Sequence, residues 1–252
     1  MKWDRCSYLN EREYANSSSK IVNESKESYW EKIVGKEPLK TFFLANKIDK
    51  NMIWGNDIYG YNIKNIENIS AMSERFFAED IETEIIFLNN KRERLAFDNF
   101  YLPFVKFGTL LLREKSKYNT EVYESCYVKL LLERLMKASI GILMFEMQLN
   151  QKEGILKGWN SREEYLYYND EMLTSKKYIK ELMDIYPVLE RVIFEIIDTH
   201  LQNFIDVIDR EYNDRNDIIK NFEFSDYEIE KVVSSGSGSH NRGKSVLIFK
   251  LK

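Results

Sequence analysis

Cysteine, proline and glycine are all scarce in this chain of 252 residues, and each shortage excludes something. Two cysteines, Cys6 and Cys126, are too few for a disulfide framework or a cysteine-rich zinc site. Three prolines and ten glycines leave the longest patterned stretches almost free of helix breakers, so the body of the protein is expected to be helical. No run of about 18 apolar residues occurs, which excludes a transmembrane helix. The opening MKWDRCSYLNERE is polar and lacks the apolar centre of a signal peptide, so the cytosol is the expected compartment. A large charge of one sign is also missing. The formal net charge of -4 provides no basic stripe, and nucleic-acid binding is not expected.

What is present is apolar and aromatic. Hydrophobic residues make up 44% of the chain, enough to bury a substantial core and far from the composition of a disordered chain. Residues 29–48 carry a short pattern broken by Gly35 and Pro38, and residues 55–70 read as an Asn- and Gly-rich loop. Over residues 71–95, Met72, Phe76, Ile81 and Ile85 recur at helical spacing. Pro103 marks a boundary or a kink. Residues 123–149 are apolar nearly all round in their middle, which predicts a central core helix. Ser161 and Glu164 stand at capping-box spacing, so a helix is expected to begin there. Pro187 suits the first turn of another helix whose apolar face runs from Val188 to Ile208.

Beyond Phe224 the pattern changes. YEIEKVV and SVLIFKLK are β-branched and partly alternating, and a Ser/Gly-rich stretch separates them, which predicts a β-hairpin. The expected fold class is therefore mainly α, with residues 1–224 helical and residues 225–252 forming the hairpin.

The hairpin turn contains G-x-x-x-x-G-K-S from Gly238 to Ser245, the bare pattern of a hydrolase phosphate loop. Such a loop works because a helix starts at its Lys-Ser and aims N-terminal amides at the phosphates. Here Val-Leu-Ile-Phe follows, and a strand is expected instead. Two readings remain beside the hydrolase. The turn either lays backbone amides over nucleotide phosphates without a helix, as glycine-rich loops between strands do in kinases, or simply closes a hairpin. Lys244 is then a phosphate contact or a solvated lysine, and His240 a phosphate-facing donor or an exposed loop histidine. His200, at the margin of its helix's apolar face and without a zinc-type partner spacing, is expected to be structural. Arg191 is expected to pair with an acid and lock two helices.

Four segments in order resemble the N-terminal dehydratase portion of class II lanthipeptide synthetases, the LanM type. FDNFYLPFVKFGTLLL at 97–112 is similar to that family's Phe-x-x-x-x-x-Pro-Phe-Val segment. GILKGWNSREEYLYY at 154–168 resembles its Gly-x-Leu-x-Gly element, with Glu164 where the family usually has Arg. YPVLERVI at 186–193 matches Tyr-Pro-x-Leu-x-Arg, and SHNRGKSVLIFKL resembles the family's Asp-x-His-x-x-Gly-x-x-Val turn and its strand. The resemblance implies a helical region leading into a lobe distantly like lipid kinases. It also implies ATP and Mg as cofactors, a precursor peptide as substrate, phosphorylation of its Ser and Thr, and elimination of phosphate to dehydroamino acids. His240 takes the catalytic position, and Gly238, Asn241, Gly243 and Lys244 the nucleotide-facing ones. Gly238 stands where the family has Asp, and the family's Tyr-Lys-Pro-Arg segment would fall beyond Lys252. The chain is accordingly expected to be inactive alone, as a truncated product or as half of a split enzyme completed by a C-terminal fragment. A non-catalytic helical module binding a peptide or protein through an exposed apolar patch is the alternative.

Overall fold

The computed structural model describes residues 12–14, 31–46, 58–61, 66–81, 95–224, 226–236 and 244–252. Internal contacts divide the chain into two units, Met1–Ile66 and Glu67–Lys252.

In the first unit β1 (Arg12–Tyr14) pairs antiparallel with β2 (Ile58–Tyr61), Arg12 lying opposite Tyr61. Between them in sequence lies α1 (Lys36–Asn46), preceded by Gly35 at φ 93°, a left-handed conformation that interrupts the pattern where expected. The supposed loop at 55–70 therefore holds a short strand, and it also contains the start of the next helix.

That helix, α2 (Ile66–Ala78), buries Ile69, Met72, Ser73 and Phe76 along one stripe. It begins five residues before the expected position and stops well short of residue 95, and residues 82–94 lie outside the described residues. Its end has a cause in charge. Glu79 and Asp80 follow at the negative pole of the helix, where acids are unfavourable, and the Lys176 ammonium donates to the carbonyl of Glu79.

α3 (Asp98–Lys115) runs straight through Pro103, so the proline marks no boundary. α4 (Glu121–Lys152) is the expected core helix, two or three residues longer at each end. α5 (Ser161–Tyr167) continues as one π turn, Tyr168–Met172. Its N-cap is Asn160, one residue before the predicted Ser161: the Asn160 side chain accepts from the amides of Arg162 and Glu163, and Glu163 accepts from Trp159 N. Asn outcompetes Ser here because its longer side chain reaches both orphan amides, while Glu163 closes the turn from the other side. α6 (Lys176–Ile185) is capped by Ser175, and α7 (Pro187–Asn221) opens on its proline as predicted.

The core is aromatic. Phe76 of α2 stacks on Phe104 of α3 at 4.4 Å between ring centroids and meets Phe194 of α7 edge-on at 5.8 Å; all three are fully buried. Burying a large side chain of this kind stabilises by about 1.5–3 kcal/mol. α3 and α4 approach closely at Gly108, whose carbonyl accepts from the Tyr127 hydroxyl at 3.0 Å. A methyl group at that position would lie 2.7 Å from Leu131 Cδ2. Arg191 is buried and pairs with Glu195 at 2.7 Å within α7; the neighbouring Glu190 makes a connection between helices, accepting from Ser73 of α2 at 2.5 Å.

After α7 the chain forms β3 (Ile229–Ser234) and β4 (Leu247–Leu251), an antiparallel hairpin packed on α4. The fold class is mainly helical with a C-terminal two-stranded hairpin. Among the described residues no helix is long and apolar enough to cross a membrane.

Candidate functional site

The hairpin ladder pairs Val232 with Phe249 and Ser234 with Leu247, and the Ser235 amide donates to the Val246 carbonyl at 3.0 Å. Side chains alternate along a strand. Val246 and Ile248 are exposed at 56% and 47%, while Leu247 and Phe249 are half-buried on the side of the helices. Phe249 meets the Tyr123 ring of α4 edge-on at 6.2 Å. Val232 is the buried residue of β3.

A polar cluster fixes the hairpin to the end of α7. Glu211 accepts from the hydroxyls of Tyr123 at 3.3 Å and Tyr227 at 2.8 Å, and pairs with Arg215 at 3.0 Å. Arg215 in turn reaches Asp226 at 3.2 Å, donates to the Tyr227 carbonyl and lies over the Tyr227 ring at 4.2 Å. Burial, then the hydrogen bond to Glu211, pushes the Tyr227 phenol up to about 12, so it stays a donor throughout the neutral range. These groups hold the strand in place; each is occupied by its neighbours in the cluster.

Two hollows flank the hairpin foot. One, of about 590 Å³, lies between the last turns of α7 and β4 and is walled mainly by Ile218, Phe222, Phe224, Phe249 and Leu251. The other, of about 110 Å³, lies between α4, α7 and the approach to β4, where Arg134, His200, Arg210 and Lys244 line it. Lys244 is exposed, three positions before β4. Gly238, His240, Asn241 and Gly243 lie outside the described residues.

Because Lys244 and Ser245 lead into a strand, the G-x-x-x-x-G-K-S pattern does not launch the helix that a hydrolase phosphate loop requires. The described residues also do not make a nucleotide site by themselves. The hollow beside Lys244 is well below the roughly 300 Å³ at which small-molecule pockets begin. Among the described residues no group of three His, Cys, Asp or Glu side chains is placed to hold a metal ion.

His200 is not at the margin of α7 but inside its buried face, 1% exposed. Its Nε2 lies 2.9 Å from the Tyr127 carbonyl, and a carbonyl only accepts, so Nε2 carries the proton. Burial, aided by the charge of Arg134, pushes the imidazole down to about 3, so it is neutral at physiological pH. Cys126 is also buried, and its thiol is pushed up to about 11, which makes it unreactive. Sequence reasoning missed Arg134, Arg210 and Glu211. Arg134 did leave a signal, as a lone guanidinium in the apolar stretch LLLERLM.

A family model described as Domain of unknown function (DUF4135) matches residues 186–252. Comparison with curated proteins gives no match. The matched residues begin one position before α7 and end with the hairpin, while α4, which supplies part of the wall of the smaller hollow, lies outside the match.

Proposed function

We propose that this chain is the N-terminal part of the dehydratase of a class II lanthipeptide synthetase. In that enzyme ATP phosphorylates Ser and Thr of a precursor peptide, and the phosphate is then eliminated. The observation that carries the reading is the antiparallel pair of β3 and β4, joined by the glycine- and serine-rich sequence of residues 235–245, with Lys244 at the entrance to the second strand. Turns of that form serve nucleotide phosphates in kinases without a helix. The match to residues 186–252 supports it by spanning two of the four resembling segments as one unit. His240, Gly238, Asn241, Gly243 and Lys244 are the proposed contributions of this chain, with MgATP bound only when a complementing C-terminal fragment is present.

The test is intact mass measurement of a Ser/Thr-rich precursor peptide after incubation with MgATP. Loss of water is expected with this chain and its complementing fragment together, and not with either alone. Loss of water with this chain alone would refute the split; none with the pair would refute the dehydratase.

The groove of about 590 Å³ favours a second reading, a non-catalytic helical module that binds a peptide or protein. Saturable binding of the precursor peptide that is lost in Phe249→Asp, with no loss of water under any combination, selects it.

A further inference from the structure

The larger groove carries an uneven charge. Among the described residues its wall holds three charged side chains, Arg210, Glu211 and Asp214, all from α7. Arg210 is answered by Asp206 at 4.0 Å, and Glu211 by Arg215 at 3.0 Å. The exposed Asp214 carboxylate has neither an ion pair nor a hydrogen-bond partner among the described residues. Negative charge is therefore left over at the groove.

The aromatic part of the wall depends on an uncommon turn. α7 ends with the Phe222 amide donating to the Ile218 carbonyl and the Phe224 amide to the Ile219 carbonyl, each at 3.0 Å, the pairing of a Schellman turn. Between them Glu223 takes φ 57°, the left-handed position that usually falls to glycine. The turn sets the two rings against each other, centroids 5.9 Å and planes 18° apart. Neither is spent on the core: Phe222 is 68% exposed and Phe224 39%. Strained backbone of this kind concentrates where a ligand is clamped. The ring faces are electron-rich, so they too favour a cation over an anion. The groove is also long. Its wall runs from Val207 to Ile218 along α7, about 16 Å, and from Leu247 to Leu251 along β4, about 13 Å. That length suits several consecutive side chains of a peptide.

We propose that this groove receives a peptide segment of another protein in which a run of apolar side chains is flanked by a lysine or arginine, the apolar run lying along Phe222, Phe224 and Leu251 and the cation meeting Asp214. Asp214 and Phe222 are separated by about 12 Å along α7, which places the basic residue at one end of the apolar run and not inside it. The inference rests on the reading of the chain as a peptide-binding module and adds the chemistry of the peptide. The aromatic pair supplies affinity, and the carboxylate selects the sign of the charge.

The experiment is selection on the full chain from a phage-displayed library of random peptides of about twelve residues, followed by fluorescence anisotropy of the most enriched peptide. Enriched sequences are expected to carry an apolar run with Lys or Arg at its flank. Exchanging that basic residue for Gln in the peptide, or Asp214→Asn in the protein, is expected to weaken binding by about tenfold, and the two changes together by no more than either alone. Phe222→Ser should weaken it by a similar factor, about tenfold. Asp214 and Phe222 are both exposed, so neither variant endangers the fold. Binding that falls in Phe222→Ser but not in Asp214→Asn, or enrichment of acidic peptides, would overturn the charge preference and leave the module reading standing. If no peptide is enriched, or none is sensitive to Phe222→Ser, both fail. A dimer in sedimentation that Phe222→Ser dissociates would give the groove to a second copy of this chain and defeat the proposal.

Discussion

Glu211 of α7 and Tyr227 ahead of β3 share a hydrogen bond of 2.8 Å in a buried setting, and through it the last helix holds the approach to β3. Removing the carboxylate takes an acceptor from both Tyr227 and Tyr123 and leaves two buried hydroxyls to find others. Glu211→Ala is therefore expected to cost about 2–4 kcal/mol, and Tyr227→Phe, which removes one bond and keeps the ring, about 1 kcal/mol. Urea denaturation measures both. A smaller loss in the Glu211 variant than in the Tyr227 variant would show that the cluster does not act through its carboxylate.

His200 makes stability depend on pH in a stated direction. The unfolded imidazole takes up a proton near pH 6.5, the folded one only near 3. Between those values the unfolded chain holds the extra proton, so stability falls as pH drops below about 6.5, by at most about 1.4 kcal/mol per unit, and the loss levels off below about 3. Above 6.5 this residue adds no slope. His200→Gln keeps a donor for the Tyr127 carbonyl and abolishes the titration. The stability gap between wild type and variant is expected to hold from pH 7.5 to about 6.5 and to shrink from there to 4.5 when urea midpoints are followed.

Two helical glycines should respond to alanine with opposite signs. At Gly108 a methyl group meets Leu131 Cδ2 at 2.7 Å and the Tyr127 hydroxyl at 3.0 Å, whereas at Gly141 nothing lies within 4 Å. Alanine gains about 1 kcal/mol of helix propensity at either site. Overpacking at Gly108 costs about 1–3 kcal/mol. Gly108→Ala should lower the thermal midpoint and Gly141→Ala raise it. Two shifts of the same sign would contradict the close approach of α3 and α4.

The cap of α5 separates two neighbouring residues. Asn160→Ala removes an acceptor for two amides and should cost about 1 kcal/mol. Ser161→Ala, one position on, should change stability by less than about 0.5 kcal/mol. Thermal denaturation of the two variants side by side distinguishes them.

The long helices and the hairpin were legible because their signals are local. Residues 123–149 are apolar nearly all round in their middle, Pro187 announces a first turn, and the β-branched residues after Ser245 favour a strand over the helix that the glycine pattern suggested. Residues 55–70 misled because their Asn and Gly content speaks for a loop, while β2 exists by pairing with β1 more than forty positions away. His200 misled for a related reason. Its polarity argued for the edge of the apolar face, but Ile193, Ile197, Leu201 and Phe204 bracket it on the buried stripe, where a backbone carbonyl of α4 accepts its proton. The wall of the smaller hollow draws Arg134, Arg210 and Lys244 from three separate stretches, and no spacing rule joins them.

The Ser235–Val246 hydrogen bond carries the pairing one step past the strands themselves. Loop closure grows costlier only slowly with length, by about 0.6 kcal/mol per doubling. Lengthening the Gly/Ser-rich sequence between residues 237 and 243 is thus expected to leave the register of β3 on β4 undisturbed, because the two strands are held by their own ladder and by the helices beneath them.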